Sequence, residues 1–246
     1  MLPSKIQRPM EEQQVISILN NKTRFCAFIV THCWDERYKD NGIMIWSIFF
    51  DLLSEAAAKN KVNTPSFPAV KSFGQCRKRD LTDAVVNVFS SFRFSLVFDN
   101  RAIPGYVTEK ITNALVEDTI PIYWGAPDIF EYVIVDRIVH CGELESSVGL
   151  GKFRAVPKPE NISQAELIMQ TLGPQLLRDA MQPCINGVLE LEQDPKKYLW
   201  KLSQPILPNG AHFEGSYFDL RFIAQNVQKV MAAYNSLLVL TDGMRH

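Results

Sequence analysis

The sequence has no excess of either charge: 26 Lys+Arg stand against 27 Asp+Glu, a formal net charge of -1. That balance argues against nucleic-acid binding by bulk positive charge. It has no C-x-x-C pair, and its five cysteines (Cys26, Cys33, Cys76, Cys141 and Cys184) are odd in number. A tetrahedral zinc site is therefore not expected, and a fully paired disulfide framework is excluded. Most of the cysteines read as small core residues. Long apolar runs are absent as well. The most apolar stretch, residues 43–53, is too short to span a bilayer and is interrupted by Ser47 and Asp51. Residues 1–20 contain no apolar run of signal-peptide length. No internal repeat or low-complexity segment stands out.

What is present is an ordinary globular composition, 46% hydrophobic and 22% charged over 246 residues. Such a chain is not disordered, and its length allows one large domain or two small ones. Residues 1–14 are polar and read as a loose leader. Residues 25–31 (FCAFIVT) form a continuous apolar run of strand length, the signature of a parallel strand buried on both faces. A helical pattern runs from Gly42 to Ala58. Residues 69–73 read as a second strand, 81–92 as containing a short helix, and 94–99 (FSLVFD) as a third strand. Thr108 opens a helix whose Ile111, Ala114 and Leu115 share one face. Residues 119–124 (TIPIYW) are again strand-like, followed by a short helix at 128–132 and a strand at 137–140. Residues 163–172, 174–202 and 217–238 read as helical, the last packing on the sheet. Strands alternating with helices predict an α/β fold, a Rossmann-like doubly wound parallel sheet with a helical C-terminal segment. The expected organisation is a leader over 1–20, a Rossmann-like core over 21–150 and the helical segment over 151–246.

The chemistry concentrates in residues 94–126, FSLVFDNRAIPGYVTEKITNALVEDTIPIYWGA. In a parallel sheet the carboxyl end of a strand and the start of the next helix define the ligand crevice. Thr108 is of a type that caps helices with its hydroxyl, and Glu109 suits the positive end of the dipole. Lys110 opposes that dipole. Either it is a solvated cation whose small penalty is tolerated, or it shares an anion such as a diphosphate with the helix N-terminus. Tyr123 and Trp124 end a buried strand beside the crevice. They read as packing residues or as lining residues, together with Gly125. His32 ends the first strand and is structural or near the crevice.

This segment resembles the donor-binding signature of the α-1,3/1,4-fucosyltransferases (glycosyltransferase family 10). That signature is roughly F-x-L-x-F-E-N, a short loop, Y-[VI]-T-E-K, an apolar helix and V-P-[VI]-x-x-G. Phe94, Leu96, Phe98 and Asn100 match its first part. Tyr106, Val107, Thr108, Glu109 and Lys110 match its second, and Ile120, Pro121, Ile122 and Gly125 its third. The resemblance implies the C-terminal, donor-binding half of a GT-B glycosyltransferase. Such an enzyme moves L-fucose from GDP-fucose to an oligosaccharide or glycoprotein acceptor with inversion. By the same resemblance Lys110 would neutralise the diphosphate as the bond to fucose breaks, and Glu109 would bond a ribose hydroxyl. Asn100 and Tyr106 would line the nucleotide and sugar site. The chain has no D-x-D triplet, and no metal or other cofactor is expected. Neither is a nucleic-acid partner.

The sequence departs from the family at two places. Aligning Phe49–Leu53 with the family's aromatic helix segment puts Trp46 where an arginine contacts the diphosphate. Arg37, or the run Arg77-Lys78-Arg79, could supply the charge instead. Asp99 stands where the family has Glu. The chain also begins about where the family's donor domain begins, so an N-terminal acceptor domain, with the general base, is expected to be missing. Two alternatives stay open: a non-catalytic nucleotide-sugar-binding protein, and a transferase for another GDP-sugar. The expected compartment is the Golgi membrane or lumen if the source is eukaryotic and an anchor lies upstream, otherwise the cytoplasm. Two sequons occur, at Asn21 and Asn161.

Overall fold

The fold is that of a computed structural model, which describes residues 9–30, 41–62, 70–74, 88–100, 102–142 and 174–208. Its elements are α1 (Glu12–Asn21), β1 (Arg24–Ile29), α2 (Asn41–Lys59), β2 (Val70–Phe73), β3 (Phe92–Phe98), α3 (Glu109–Val116), β4 (Ile120–Trp124), β5 (Val139–His140), α4 (Pro174–Gln193) and α5 (Pro195–Ser203). The strands form one sheet in the order β2-β1-β3-β4-β5, and every pairing is parallel. This is the expected doubly wound sheet. The strand order reverses between β1 and β3, so the crevice of such a fold opens at their carboxyl ends.

Most strand residues are apolar because both faces of the sheet are covered, with Arg24, Lys71, Ser72, Arg93 and Ser95 as the exceptions on β1, β2 and β3. On β3, Phe94, Leu96 and Phe98 join a core with Phe49, Phe50 and Leu53 of α2, Met181 and Ile185 of α4, and Tyr198 and Leu202 of α5. On the other face, Val97 of β3 and Tyr123 of β4 pack with Ile111, Ala114 and Leu115 of α3. The expected face of α3 is the one observed. Asp194 splits the long C-terminal helical stretch into α4 and α5. Its carboxylate caps α5 by accepting from the Lys196 and Lys197 amides at 3.0 and 3.1 Å, with Pro195 in the first turn.

Three expectations need correction. Residues 12–20 are not leader but helix α1, which runs Glu12–Asn21. Val15 is buried, and Ile18 and Leu19 pack against the core. Val15, Ile18 and Leu19 recur at helical spacing, which was the signal for it. The strand expected at 137–140 shortens to two residues, because Val135–Arg137 form a 3-10 turn. The cysteines are not all simple core residues. The end of β5 and the middle of α4 bring the Cα atoms of Cys141 and Cys184 within 5.4 Å, and they form a disulfide. A pairing across 43 residues cannot be read from spacing alone. Cys26 is buried and free, and burial pushes its thiol up. Cys33, Cys76, the helices expected at 163–172 and 217–238, and most of the one expected at 81–92 lie outside the described residues.

Candidate functional site

At the carboxyl end of β3 the chain leaves the sheet through Asp99 and Asn100, loops over 102–107, and enters α3 at Thr108. Gly105 turns that loop with φ +76°, a conformation glycine adopts without strain. Its amide donates to both carboxylate oxygens of Asp128, at 3.0 and 2.8 Å. The loop is thereby tied to the turn that follows β4. Ile103 and Tyr106 are exposed on it.

Asp99 is wholly buried and lies at the centre of a network. Thr108 Oγ1 donates to its Oδ1 at 2.5 Å, and Tyr123 Oη donates to its Oδ2 at 2.9 Å. The amide of Ala126 donates to the same phenol oxygen at 2.9 Å, which leaves the phenol proton for Asp99. Burial pushes the Asp99 carboxyl up, while the two hydroxyls and the nearby Lys110 charge pull it down. Burial also pushes the Tyr123 phenol up, and the adjacent Asp99 charge adds to the effect. Gly125 makes room for the network, since a side chain there would collide with Asp99 and Tyr123.

Thr108 sits at the expected N-cap position with extended backbone, φ -103° and ψ 167°, yet its side chain makes no capping bond. The hydroxyl is turned to donate to the Asp99 carboxylate instead, and in that orientation its oxygen does not accept from a first-turn amide. The first-turn amides of α3 are therefore not capped by Thr108. Lys110 is half-buried, and its Nζ lies 3.3 Å from the Phe98 carbonyl oxygen and 3.5 Å from Asn100 Oδ1. It thus stands over the carboxyl end of β3 with Asn100 beside it. Glu109 is exposed at the start of the helix, and Val107 packs inward on the Val97 cluster.

Tyr123 and Trp124 do not line an open crevice as one reading expected. Both are buried, Tyr123 as a brace for Asp99 and Trp124 against Phe98, with ring centroids 6.0 Å apart. Their positions in β4, an interior strand flanked by β3 and β5, carry both rings into the covered faces of the sheet. Trp46 is equally buried and meets Phe28 edge-on at 4.9 Å. It is a packing residue and supplies no charge. His32, Arg37 and Arg77-Lys78-Arg79 lie outside the described residues. Four of the other described cations, Lys22, Arg93, Arg137 and Lys201, lie toward the amino ends of the strands. There Lys22 Nζ donates to Phe89 O, Glu117 O and Thr119 Oγ1, and Arg93 pairs with Glu192 at 2.8 Å. Arg137 is fully buried 3.6 Å from Asp118, and desolvation lowers its guanidinium to about 10. A cavity of about 470 Å³ lies between α2 and α4, lined by Glu55, Lys59, Gln182 and Glu190 among others. It is near the far end of α2 from the crevice. Among the described residues no cluster of His, Cys, Asp or Glu could hold a metal ion.

Sequence reasoning undervalued Asp99, noting it only as a shortened Glu, and missed Asp128. For Asp99 the signal was a lone acid closing an apolar strand run; for Asp128 no sequence signal exists.

An all-parallel sheet with helices on both faces is the doubly wound α/β class, in which ligands bind at the carboxyl ends of the strands beside the switch point. The comparisons with known proteins refine that class. Residues 58–153 match the sequence model of glycosyltransferase family 10 (fucosyltransferase), C-terminal, so the resemblance read in the sequence holds. An α-(1,3)-fucosyltransferase of Helicobacter pylori is 52% identical over 40 residues, 16% of this chain and 8% of that protein. GDP-fucose protein O-fucosyltransferase 3 of Xenopus tropicalis is 30% identical over 99 residues, 32% of this chain and 21% of that protein. The crystal structure of an α1,3-fucosyltransferase with GDP-fucose superposes with a TM-score of 0.51 at 20% identity, over 92% of this chain and 52% of that one. The fold is therefore shared with about half of that solved structure. The chain spans about half the length of the solved transferase, and its matched segments span smaller shares of the curated relatives.

Proposed function

We propose that this chain is the donor-binding part of a fucosyltransferase that moves L-fucose from GDP-fucose to an acceptor glycan with inversion. The observation that carries the reading is the placement of Lys110. Its ammonium stands at the carboxyl end of β3, beside Asn100 and next to α3 amides that Thr108 does not cap. GDP departs with growing negative charge on its diphosphate. A cation and amide dipoles already aimed at that place stabilise the departing group without reorganising. Lys110 and the first-turn amides of α3 are the groups for that task. In this reading exposed Glu109 takes a ribose hydroxyl, and Asn100 and Tyr106 line the rim of the nucleotide and sugar pocket. An acceptor hydroxyl attacks the anomeric carbon from the face opposite GDP and gives its proton to a general base. No described residue is assigned that base. The reading calls for no metal at the diphosphate.

A second reading, a nucleotide-sugar-binding protein without transferase activity, is favoured by one observation. Trp46, at the place of the family's diphosphate-binding arginine, is a core residue packed on Phe28. The particular GDP-sugar and the acceptor are parts of the proposal. So is the compartment, an oxidising lumen such as the Golgi, which the Cys141–Cys184 disulfide supports. No helix among the described residues is long and apolar enough to cross a membrane. The test is transfer of labelled fucose from GDP-fucose to N-acetyllactosamine or a chitobiose core. Labelled product supports the transferase. Donor binding without product supports the second reading, and an absence of donor binding defeats both.

A further inference from the structure

We propose that Asp99 is a positioning residue of the donor site, setting through Thr108 where Lys110 stands. The proposal rests on the donor-site reading above and deepens it.

Asp99 joins three elements with one buried carboxylate. It closes β3, takes the hydroxyl of Thr108 at the start of α3, and takes the phenol of Tyr123 at the end of β4. Both oxygens are used. The space is closed by Gly125, where even a methyl group would meet Oδ2 of Asp99. A side chain so enclosed has one rotamer available, so the atoms it bonds are fixed with it. Thr108 is thereby pinned to the sheet rather than to its own helix.

Two residues on, Lys110 leaves the first turn of α3 and reaches back to the residues flanking Asp99. These are the carbonyl of Phe98 at 3.3 Å and the side chain of Asn100 at 3.5 Å. Those contacts are long for hydrogen bonds, so they leave the ammonium able to close on an anion. What sets the base of its side chain is the junction between Thr108 and Asp99. A misplacement of about 1 Å at such a junction is enough to cost on the order of a hundredfold in a preorganised site.

The test is calorimetric titration of GDP-fucose into wild type, Asp99→Asn, Thr108→Val, Thr108→Ser and the double variant Asp99→Asn/Thr108→Val, each checked for folding by circular dichroism. Asparagine offers one acceptor oxygen for two hydroxyls, and valine keeps the shape of threonine without the hydroxyl. Thr108→Val is expected to raise Kd about tenfold, the loss of one bond to a charged group. Thr108→Ser restores the affinity, and the double variant binds no more weakly than the weaker single one. If Asp99→Asn fails to fold, the Thr108 variants still decide. Thr108→Val binding as tightly as wild type, Thr108→Ser binding no better than Thr108→Val, or losses that multiply in the double variant would overturn the proposal. Wild type that does not bind GDP-fucose is a different result, and defeats the donor-site reading itself.

Discussion

Gly125→Ala probes the buried network beneath the site without touching any group proposed to contact a ligand. The added methyl would stand 2.5 Å from Tyr123 Oη, 2.9 Å from Tyr123 Cζ, and closer still to Asp99 Oδ2. These atoms can step aside only at a cost, since Asp99 and Tyr123 are both at 0% exposure. Overpacking of a filled core costs about 1–3 kcal/mol. Breaking the bond from the Tyr123 phenol to the carboxylate would cost about 1.5–3 kcal/mol. The two overlap, because moving the phenol relieves the clash, so the expected loss is about 3 kcal/mol rather than the sum. At about 2–4 °C per kcal/mol for a domain of this size, the midpoint falls by roughly 6–12 °C. Thermal unfolding followed by circular dichroism reads it directly. The same substitution in a Tyr123→Phe background meets no phenol oxygen, and its cost there should be smaller by about 1 kcal/mol. Gly125→Ala melting with the wild type, or costing as much in the Tyr123→Phe background, would refute the account of why position 125 has no side chain.

Further outcomes follow from the disulfide and from Asp99. Removing the Cys141–Cys184 bridge by Cys184→Ser frees a loop of 43 residues. The chain-entropy account puts the loss at about 4 kcal/mol. Unfolding with and without reductant measures it, and a wild type indifferent to reductant would contradict the bridge. Asp99 has a carboxyl raised by burial, so the folded state binds its proton more tightly than the unfolded state does. Its contribution to stability is then greatest below the ordinary aspartate value of about 3.9 and is lost as pH rises through the raised folded value. The stability of Asp99→Asn relative to wild type should therefore improve as pH rises across that window. Urea unfolding at a series of pH values checks the sign, and a difference moving the other way would contradict it.

The sheet was legible because its strands are covered on both faces. Residues 25–29 and 120–124 are continuous apolar runs and 94–98 is one broken only by Ser95, and burial on two sides leaves no polar alternation to blur them. The helix after Thr108 was legible from Ile111, Ala114 and Leu115. The donor-site residues were legible only as a pattern in order and spacing. What the pattern could not show is how they are held. Thr108 by type belongs to its own helix, and nothing local reveals that a buried Asp99 nine residues earlier takes its hydroxyl. Tyr123 and Trp124 looked equally fit to line or to pack, and the choice depends on which strands flank β4. Helix α1 was hidden by its mostly polar surface, and the Cys141–Cys184 pairing by the distance in sequence between its partners. Helix α1 still left a local trace in the spacing of Val15, Ile18 and Leu19; for the others the deciding contact lies outside the local segment, and the local sequence does not encode it.

The central claim is that Lys110 forms part of a site for the diphosphate of GDP-fucose. Calorimetric titration of GDP-fucose into the wild-type chain and into Lys110→Ala tests it most directly. A charge-assisted contact is worth about 1.5–3 kcal/mol, so the account predicts that wild type binds and that the variant binds roughly ten- to a hundredfold more weakly. No binding by wild type, or equal binding by Lys110→Ala, would contradict it.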